Sequence, residues 1–119
     1  MRNEKDRDEL DRLLEQGHFL RAAEQAVSMG LDQDRIHEIQ REALWQMAAV
    51  YRNDPGTKKL AEKYGFSKKQ VVETLSDVAN MKREKGEEKP MRPCYNEASG
   101  KYLTFEEWLE QFAKNWGSL

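Results

Sequence analysis

The chain has 119 residues, 35% of them charged and 38% hydrophobic, and its formal net charge is −2. This length suits a single domain, 1–119, with a small core, and the apolar content is too high for a globally disordered chain. No apolar run approaches the ~18 residues that a membrane span needs, and the charged start MRNEKDRDEL lacks the apolar segment of a secretory signal. One cysteine, Cys94, cannot form an internal disulfide, so we expect a reducing, cytoplasmic location.

The N-terminal quarter is predicted to be helical. Apolar residues at helical spacing indicate helices over 5–16 and 18–29, which end at Gly17 and Gly30. Because the break between them is short, residues 1–31 are predicted to form a helical hairpin. The stretch LLEQGHFLRAAEQAVSMGL also has the small-residue pattern of paired-helix interaction modules, so an adaptor or protein-interaction role stays open.

The next helix is predicted to be the longest, over 34–51, because its apolar residues keep helical spacing throughout. The sequence RNDPG at 52–56 then indicates a break, since Pro55 disfavours helix in the residue before it. Thr57 is the predicted N-cap of a short helix over 58–64.

The following helix has strong start signals. Ser67 and Gln70 have the spacing of a capping box, in which each side chain accepts from the backbone N–H of the other residue. Phe66 and Val71 stand at the two ends of a hydrophobic staple. These signals predict a helix over 67–80.

A solvated linker or a fraying helix end is predicted over 82–93, because KREKGEEKPMRP has mixed charge, one glycine and two prolines. The segments PCYN and KYL flank EASG. This arrangement indicates a small β-hairpin with Gly100 at a positive-φ position. This hairpin is interpreted either as a wing that contacts DNA, with Lys101 near its tip, or as a clamp for the last helix, and the clamp is favoured.

A last helix is predicted over 105–116, within a C-terminal segment of 94–119, and it has a second capping box formed by Thr104 and Glu107. Five aromatic residues follow helical spacing here: Tyr102, Phe105, Trp108, Phe112 and Trp116. Their burial tendency favours a core role, and the alternative is a surface for a homodimer or a protein partner.

The stretch TKKLAEKYGFSKKQVVETL resembles the helix-turn-helix of DNA-binding regulators. The family pattern has a small residue in the first helix, here Ala61, and a glycine in the turn, here Gly65. It has a branched residue in the second helix, here Val71, and another apolar residue one turn later, where this chain has Thr74 with Leu75 beside it. The resemblance covers residues 57–75 and does not single out one family.

The resemblance implies a trihelical helix-turn-helix unit over 34–80 that binds double-stranded DNA and uses 67–80 as its recognition helix. The basic excess supports this, because residues 58–92 hold ten basic and six acidic side chains, although strong nucleic-acid binders show more. Glu73 and Asp77 oppose it, since carboxylates repel phosphates, yet glutamate can accept a hydrogen bond from cytosine. The implied DNA-binding residues are Lys58, Lys59, Ser67, Lys68, Lys69, Glu73 and Ser76.

Other chemistries lack the residues that they need. His18 and His37 have no cysteine or carboxylate set at metal-ligand spacing, and Cys94 has no recognisable nucleophile setting. There is no phosphate loop, dinucleotide fingerprint or nucleophile elbow. We therefore expect no catalytic residues, metal or cofactor, and no enzyme activity.

The sequence thus predicts a mostly α fold, a compact bundle of about six helices with a helix-turn-helix unit and a small β-hairpin before the last helix. The function it favours is sequence-specific DNA binding in transcription regulation. The alternative is a helical protein-interaction or adaptor module.

Overall fold

A computed structural model describes residues 4–119. Over this range the chain forms six α-helices and one two-stranded antiparallel sheet, so the predicted mostly α class with a hairpin before the last helix is confirmed. None of the described helices is long and apolar enough to cross a membrane. The elements are α1 (Glu4–Glu15), α2 (Phe19–Ser28), α3 (Gln33–Trp45), α4 (Asp54–Lys63), α5 (Lys68–Glu84), β1 (Cys94–Asn96), β2 (Lys101–Leu103) and α6 (Phe105–Lys114).

The chain divides into two compact units, one that ends at Gln46 and one that begins at Met47. In the first unit, α2 packs against both α1 and α3. The α2 residues Ala22 and Ala26 have no exposed surface, and such small side chains let neighbouring helices approach closely. The predicted break between the first two helices is confirmed, and Gln46 Nε2 donates a hydrogen bond to the carbonyl of Gly17 at 2.9 Å.

The long helix predicted over 34–51 ends earlier as an α-helix. After Trp45 the backbone widens into a π-helical turn, Gln46–Val50, and the Asn53 N–H then bonds to the Met47 carbonyl at 3.1 Å. Arg52 follows with φ of 50°, a left-handed conformation that is uncommon for a residue with a side chain. Single π turns of this kind are frequent at functional or specially packed positions.

The start predicted for the next helix is wrong by several residues. Helix α4 begins at Asp54, and its N-cap is Asn53, whose Oδ1 accepts from the Gly56 N–H at 2.9 Å. The predicted break is present at residues 51–53, and Pro55 lies in the first turn of α4, where a missing N–H costs nothing. Thr57, predicted as the N-cap, is completely buried and its Oγ1 donates to the Asn53 carbonyl at 2.7 Å.

Helix α5 begins with the predicted capping box. Ser67 Oγ accepts from the Gln70 N–H at 3.2 Å, and Gln70 Oε1 accepts from the Ser67 N–H at 2.8 Å. The helix runs to Glu84, beyond its predicted end at residue 80. The segment interpreted as a linker continues through a 3-10 turn, Lys89–Met91, in which Met91 is buried.

The predicted hairpin is present, with Cys94 opposite Leu103 and Tyr95 opposite Tyr102. Helix α6 follows with its predicted capping box: Thr104 Oγ1 accepts from the Glu107 N–H at 3.2 Å, and the Glu107 carboxylate accepts from the Thr104 N–H at 2.8 Å.

Aromatic residues of α6 form the core of the second unit. Phe105, Trp108 and Phe112 are at most 1% exposed, which confirms the core interpretation for these three. The Trp108 ring stacks on both Phe105 and Phe112, with centroid distances of 5.8 and 4.9 Å. Its Nε1 donates to Asp54 Oδ1 at 2.8 Å, so α6 is tied to the first turn of α4. Tyr102 does not belong to this stripe, because it lies on β2 and is 70% exposed.

Arg52 fastens three further segments of the second unit. Its Nε donates to the Ala49 carbonyl, its Nη1 to Leu103, and its Nη2 to both Pro90 and Arg92, all at 3.0–3.1 Å. Burial lowers the pKa of Arg52 while Cys94 acts in the opposite direction, and an arginine remains charged at neutral pH. The guanidinium therefore joins the π turn, the 3-10 turn and the hairpin through main-chain acceptors.

Candidate DNA-binding site

Helices α4 and α5 are joined by a short turn, residues 64–67, which lies within the stretch that carries the predicted helix-turn-helix resemblance. Gly65 has φ of +79°, a conformation that strains any residue with a side chain. The Phe66 N–H bonds to the Ala61 carbonyl at 2.8 Å, which closes the end of α4. Ala61, Val71 and Leu75 have no exposed surface, whereas Thr74 is half-buried, so Leu75 takes the apolar position that the pattern places one turn after Val71.

The first turn of α5 presents polar side chains to solvent. Ser67, Lys68 and Lys69 are all exposed, and Ser67 caps the helix at the same time. One turn later Glu73 is also exposed and lies 4.0 Å from Lys69 Nζ. Because these two side chains are 85% and 63% exposed, the ion pair is weak and Lys69 is easily drawn to another anion. We name Ser67, Lys68, Lys69, Val72, Glu73 and Ser76 the reading face of α5.

The rest of the reading face is flanked by α6. Val72 and Ser76 are half-buried and line one wall of a groove of about 380 Å³. The other wall is the side of α6 next to α5, formed by Glu106, Leu109, Glu110 and Ala113. Arg83, near the end of α5, forms an ion pair with Glu106. Ser76 therefore lies in the groove beside α6, whereas the lysines of the first turn face solvent.

The two lysines of α4 differ from each other. Lys58 Nζ donates to the main-chain oxygens of Trp116 and Leu119 at 2.9 and 3.1 Å, and it lies 5.5 Å from the centre of the Trp116 ring. Lys59 is exposed. Both line a pocket of about 410 Å³ beside the first turn of α4, together with Asn53, Pro55, Gly56, Glu62 and Leu119. Of the two, only Lys59 can meet a phosphate without first breaking contacts within the protein.

The sequence patterns left out several residues that shape this site. Glu106 and Glu110 are four residues apart in an amphipathic helix, so their shared outward face was readable from the sequence. Their position beside α5 was not, because it depends on how α6 packs. Asp54 and Trp116, which hold α6 and Lys58, carried no local signal for those contacts.

No family model matches the chain, and no curated protein or solved structure is significantly similar to it. The helix-turn-helix resemblance therefore rests on residues 57–75 alone. Within residues 4–119, no three His, Cys, Asp or Glu side chains lie in an arrangement that could hold a metal ion.

Proposed function

We propose that this chain is a non-enzymatic DNA-binding protein that contacts the duplex through the first turn of α5. The observation that carries the proposal is the pair Lys68 and Lys69, both exposed on a firmly capped helix that follows a glycine turn with positive φ. Lysines at a helix start can donate to phosphates or to the acceptor edge of guanine in the major groove. In helix-turn-helix proteins it is the N-terminal residues of the second helix that contact base edges.

Lys59 supplies a second contact in this proposal. It is exposed on α4, the helix that crosses the DNA backbone in this motif, and a phosphate contact there positions the protein without reading sequence. Lys58 instead holds Trp116 and Leu119. We therefore assign phosphate binding to Lys59 and a structural role to Lys58, which narrows the set implied by the resemblance.

Fluorescence anisotropy with a labelled duplex of mixed sequence, at two salt concentrations, tests the proposal. The logarithm of the affinity should fall with the logarithm of salt with a slope of about −0.9 per phosphate neutralised. Lys59→Gln should weaken binding to all sequences alike and make the slope shallower by about 1. Lys68→Gln and Lys69→Gln should also change which sequence is selected from a random-sequence duplex pool.

Lys5→Gln is the matched control, since it removes the same charge from an exposed position on α1. It should leave the slope and the preferred sequence unchanged. Absence of binding at low salt, or equal effects of Lys5→Gln and Lys69→Gln, would contradict the proposal.

A protein-interaction module is the second candidate, and one observation favours it. Tyr95 and Tyr102 face each other across the hairpin with ring centres 5.4 Å apart, and they are 57% and 70% exposed. Exposed tyrosines are common anchors of protein interfaces. If this role is the principal one, a partner should be captured from nuclease-treated extract by the wild type and lost with Tyr102→Ser, while Lys69→Gln has no effect.

A further inference from the structure

The side of α6 next to α5 places carboxylates beside the reading face of α5. Glu106 and Glu110 line the same groove as Val72 and Ser76. The Glu106 charge is compensated by its ion pair with Arg83. Glu110 is exposed and forms no ion pair with any residue that the structure describes. The groove therefore carries one uncompensated negative charge opposite the middle of the helix proposed to approach DNA.

We propose that Glu110 is a specificity-determining residue that restricts DNA contact to the first turn of α5 by repelling the phosphates nearest the groove. This inference rests on the proposed DNA-binding function. A helix that enters the major groove, about 12 Å wide, has phosphates on both sides of it. With α6 packed beside Val72 and Ser76, the strand on that side meets Glu110, whereas Lys68 and Lys69 remain accessible at the helix start.

Movement of α6 away from α5 does not relieve this repulsion. The opposite side of α6 contributes Phe105, Trp108 and Phe112 to the core, so displacing the helix would expose three large aromatic side chains. The carboxylate is thus a fixed part of the surface. Natural interfaces use such repulsive elements to disfavour wrong binding modes as well as attractive ones to favour the right mode.

The test is the Glu110→Gln substitution, measured as DNA affinity at low and moderate salt. Relieving the repulsion between one carboxylate and a few phosphates about 10 Å away in water should tighten binding about two- to fivefold at low salt. The gain should shrink as salt rises, because screening reduces the repulsion that the wild type experiences. Discrimination between a duplex selected by the wild type from a random-sequence pool and the mixed-sequence duplex should fall, since binding modes that bring phosphates close to the groove are no longer repelled.

Glu97→Gln is the matched control, because it makes the same change in net charge at an exposed residue of the hairpin turn that does not line the groove. Glu110→Gln should exceed Glu97→Gln in affinity gain, with both variants as stable as the wild type. If the wild type binds DNA and the two variants gain equally, the role of Glu110 is refuted and the DNA-binding proposal stands. If none of the three proteins binds at low salt, both proposals are refuted.

Discussion

Helices α5 and α6 both begin with a capping box, but they differ in the charges that they expose. Each starts at a hydroxyl N-cap with a reciprocal bond from the residue three positions on, Ser67 with Gln70 and Thr104 with Glu107. Each buries one apolar face. The outward faces differ in charge, because α5 opens with two lysines while the exposed side of α6 carries glutamates. A capping box thus fixes where a helix starts, and the exposed side chains decide what the helix can bind.

The two helices also differ in how they are held. Helix α6 is fastened through Trp108 to α4, and Lys58 fastens the segment after it. Helix α5 is held mainly by its apolar stripe, of which Val71 and Leu75 are completely buried, and near its end by the exposed ion pair of Arg83 with Glu106. We therefore expect α6 to be the more sensitive of the two to single substitutions.

The largest effect is expected at Trp108. Its replacement by alanine removes a ring that is 1% exposed, leaves a cavity between Phe105 and Phe112, and deprives Asp54 of its hydrogen bond. The loss of unfolding free energy should be about 3–5 kcal/mol, measured by urea denaturation. Tyr102→Ala is the control and should cost much less because that ring is mostly exposed. A loss below about 1 kcal/mol for Trp108→Ala would show that α6 does not form the core.

The next effect is expected at Arg52, which holds the hairpin that leads into α6. Arg52→Ala leaves four main-chain carbonyls without their donor and should cost about 2–4 kcal/mol. Arg52→Lys should recover little, because one ammonium cannot reach acceptors on three segments. Arg41→Ala, an exposed arginine on α3, is the control in the same denaturation assay. If Arg52→Lys had the same unfolding free energy as the wild type, the stabilisation would not come from the several guanidinium hydrogen bonds of Arg52.

Adjacent valines of α5 separate its buried face from its reading face. Val71 is completely buried and Val72 lines the groove. Val71→Ala should cost about 1–3 kcal/mol in unfolding free energy, and Val72→Ala no more than about 1 kcal/mol. Equal midpoints for the two variants in urea would mean that α5 is rotated from the orientation described.

The two N-caps should be nearly equivalent in stability. Ser67→Ala and Thr104→Ala each remove a bond to the N–H three residues on, and each should cost about 1 kcal/mol. Ser67→Gly and Thr104→Gly, measured in the same denaturation series, should cost less, since glycine is itself an acceptable N-cap. A clear difference between the two alanine variants would show that packing around each N-cap, and not the shared hydrogen bond, sets its contribution to the unfolding free energy.

The smallest effect is a pH dependence that only the α6 box should show. Hydrogen bonds from the Thr104 backbone N–H first, and with its side chain second, lower the pKa of Glu107 below its ordinary value. A carboxyl whose pKa is lower in the folded protein stabilises above its unfolded pKa and loses that contribution as pH falls through the folded pKa. The stability difference between wild type and Glu107→Gln should therefore shrink as pH falls below about 4.5.

An NMR titration of the Glu107 carboxyl checks this directly. Its midpoint should rise in Thr104→Ala, which loosens the box. The α5 box uses neutral Gln70 and should be unaffected over the same range. An unchanged Glu107 midpoint in Thr104→Ala would show that the Thr104 side chain does not contribute to the shift and would leave the backbone N–H as its cause.

Much of the secondary structure was determined locally and could be predicted. The two capping boxes, the turn at Gly65 and the strands around EASG depend on residues within a few positions of one another, so their sequence signals are complete in themselves. The one helix start that was predicted wrongly, that of α4, failed for a local reason too. Pro55 is compatible with both a break and a first helical turn, and Asn53 as N-cap decides between them.

The candidate site also combines features that local sequence determines with features that tertiary packing determines. Exposure of Lys68, Lys69 and Glu73 followed from the helical period of α5, because the apolar stripe fixes which side faces away from the core. The contacts of Lys58 and Ser76 could not be predicted in this way. They depend on α6 and the residues after it, which lie 30 or more positions away in the chain. The sequence by itself determined where α5 and α6 begin and which charges they expose. Only tertiary packing decided that Glu110 faces α5 and that Arg52 joins three segments, because such contacts depend on distances between elements that no local pattern encodes.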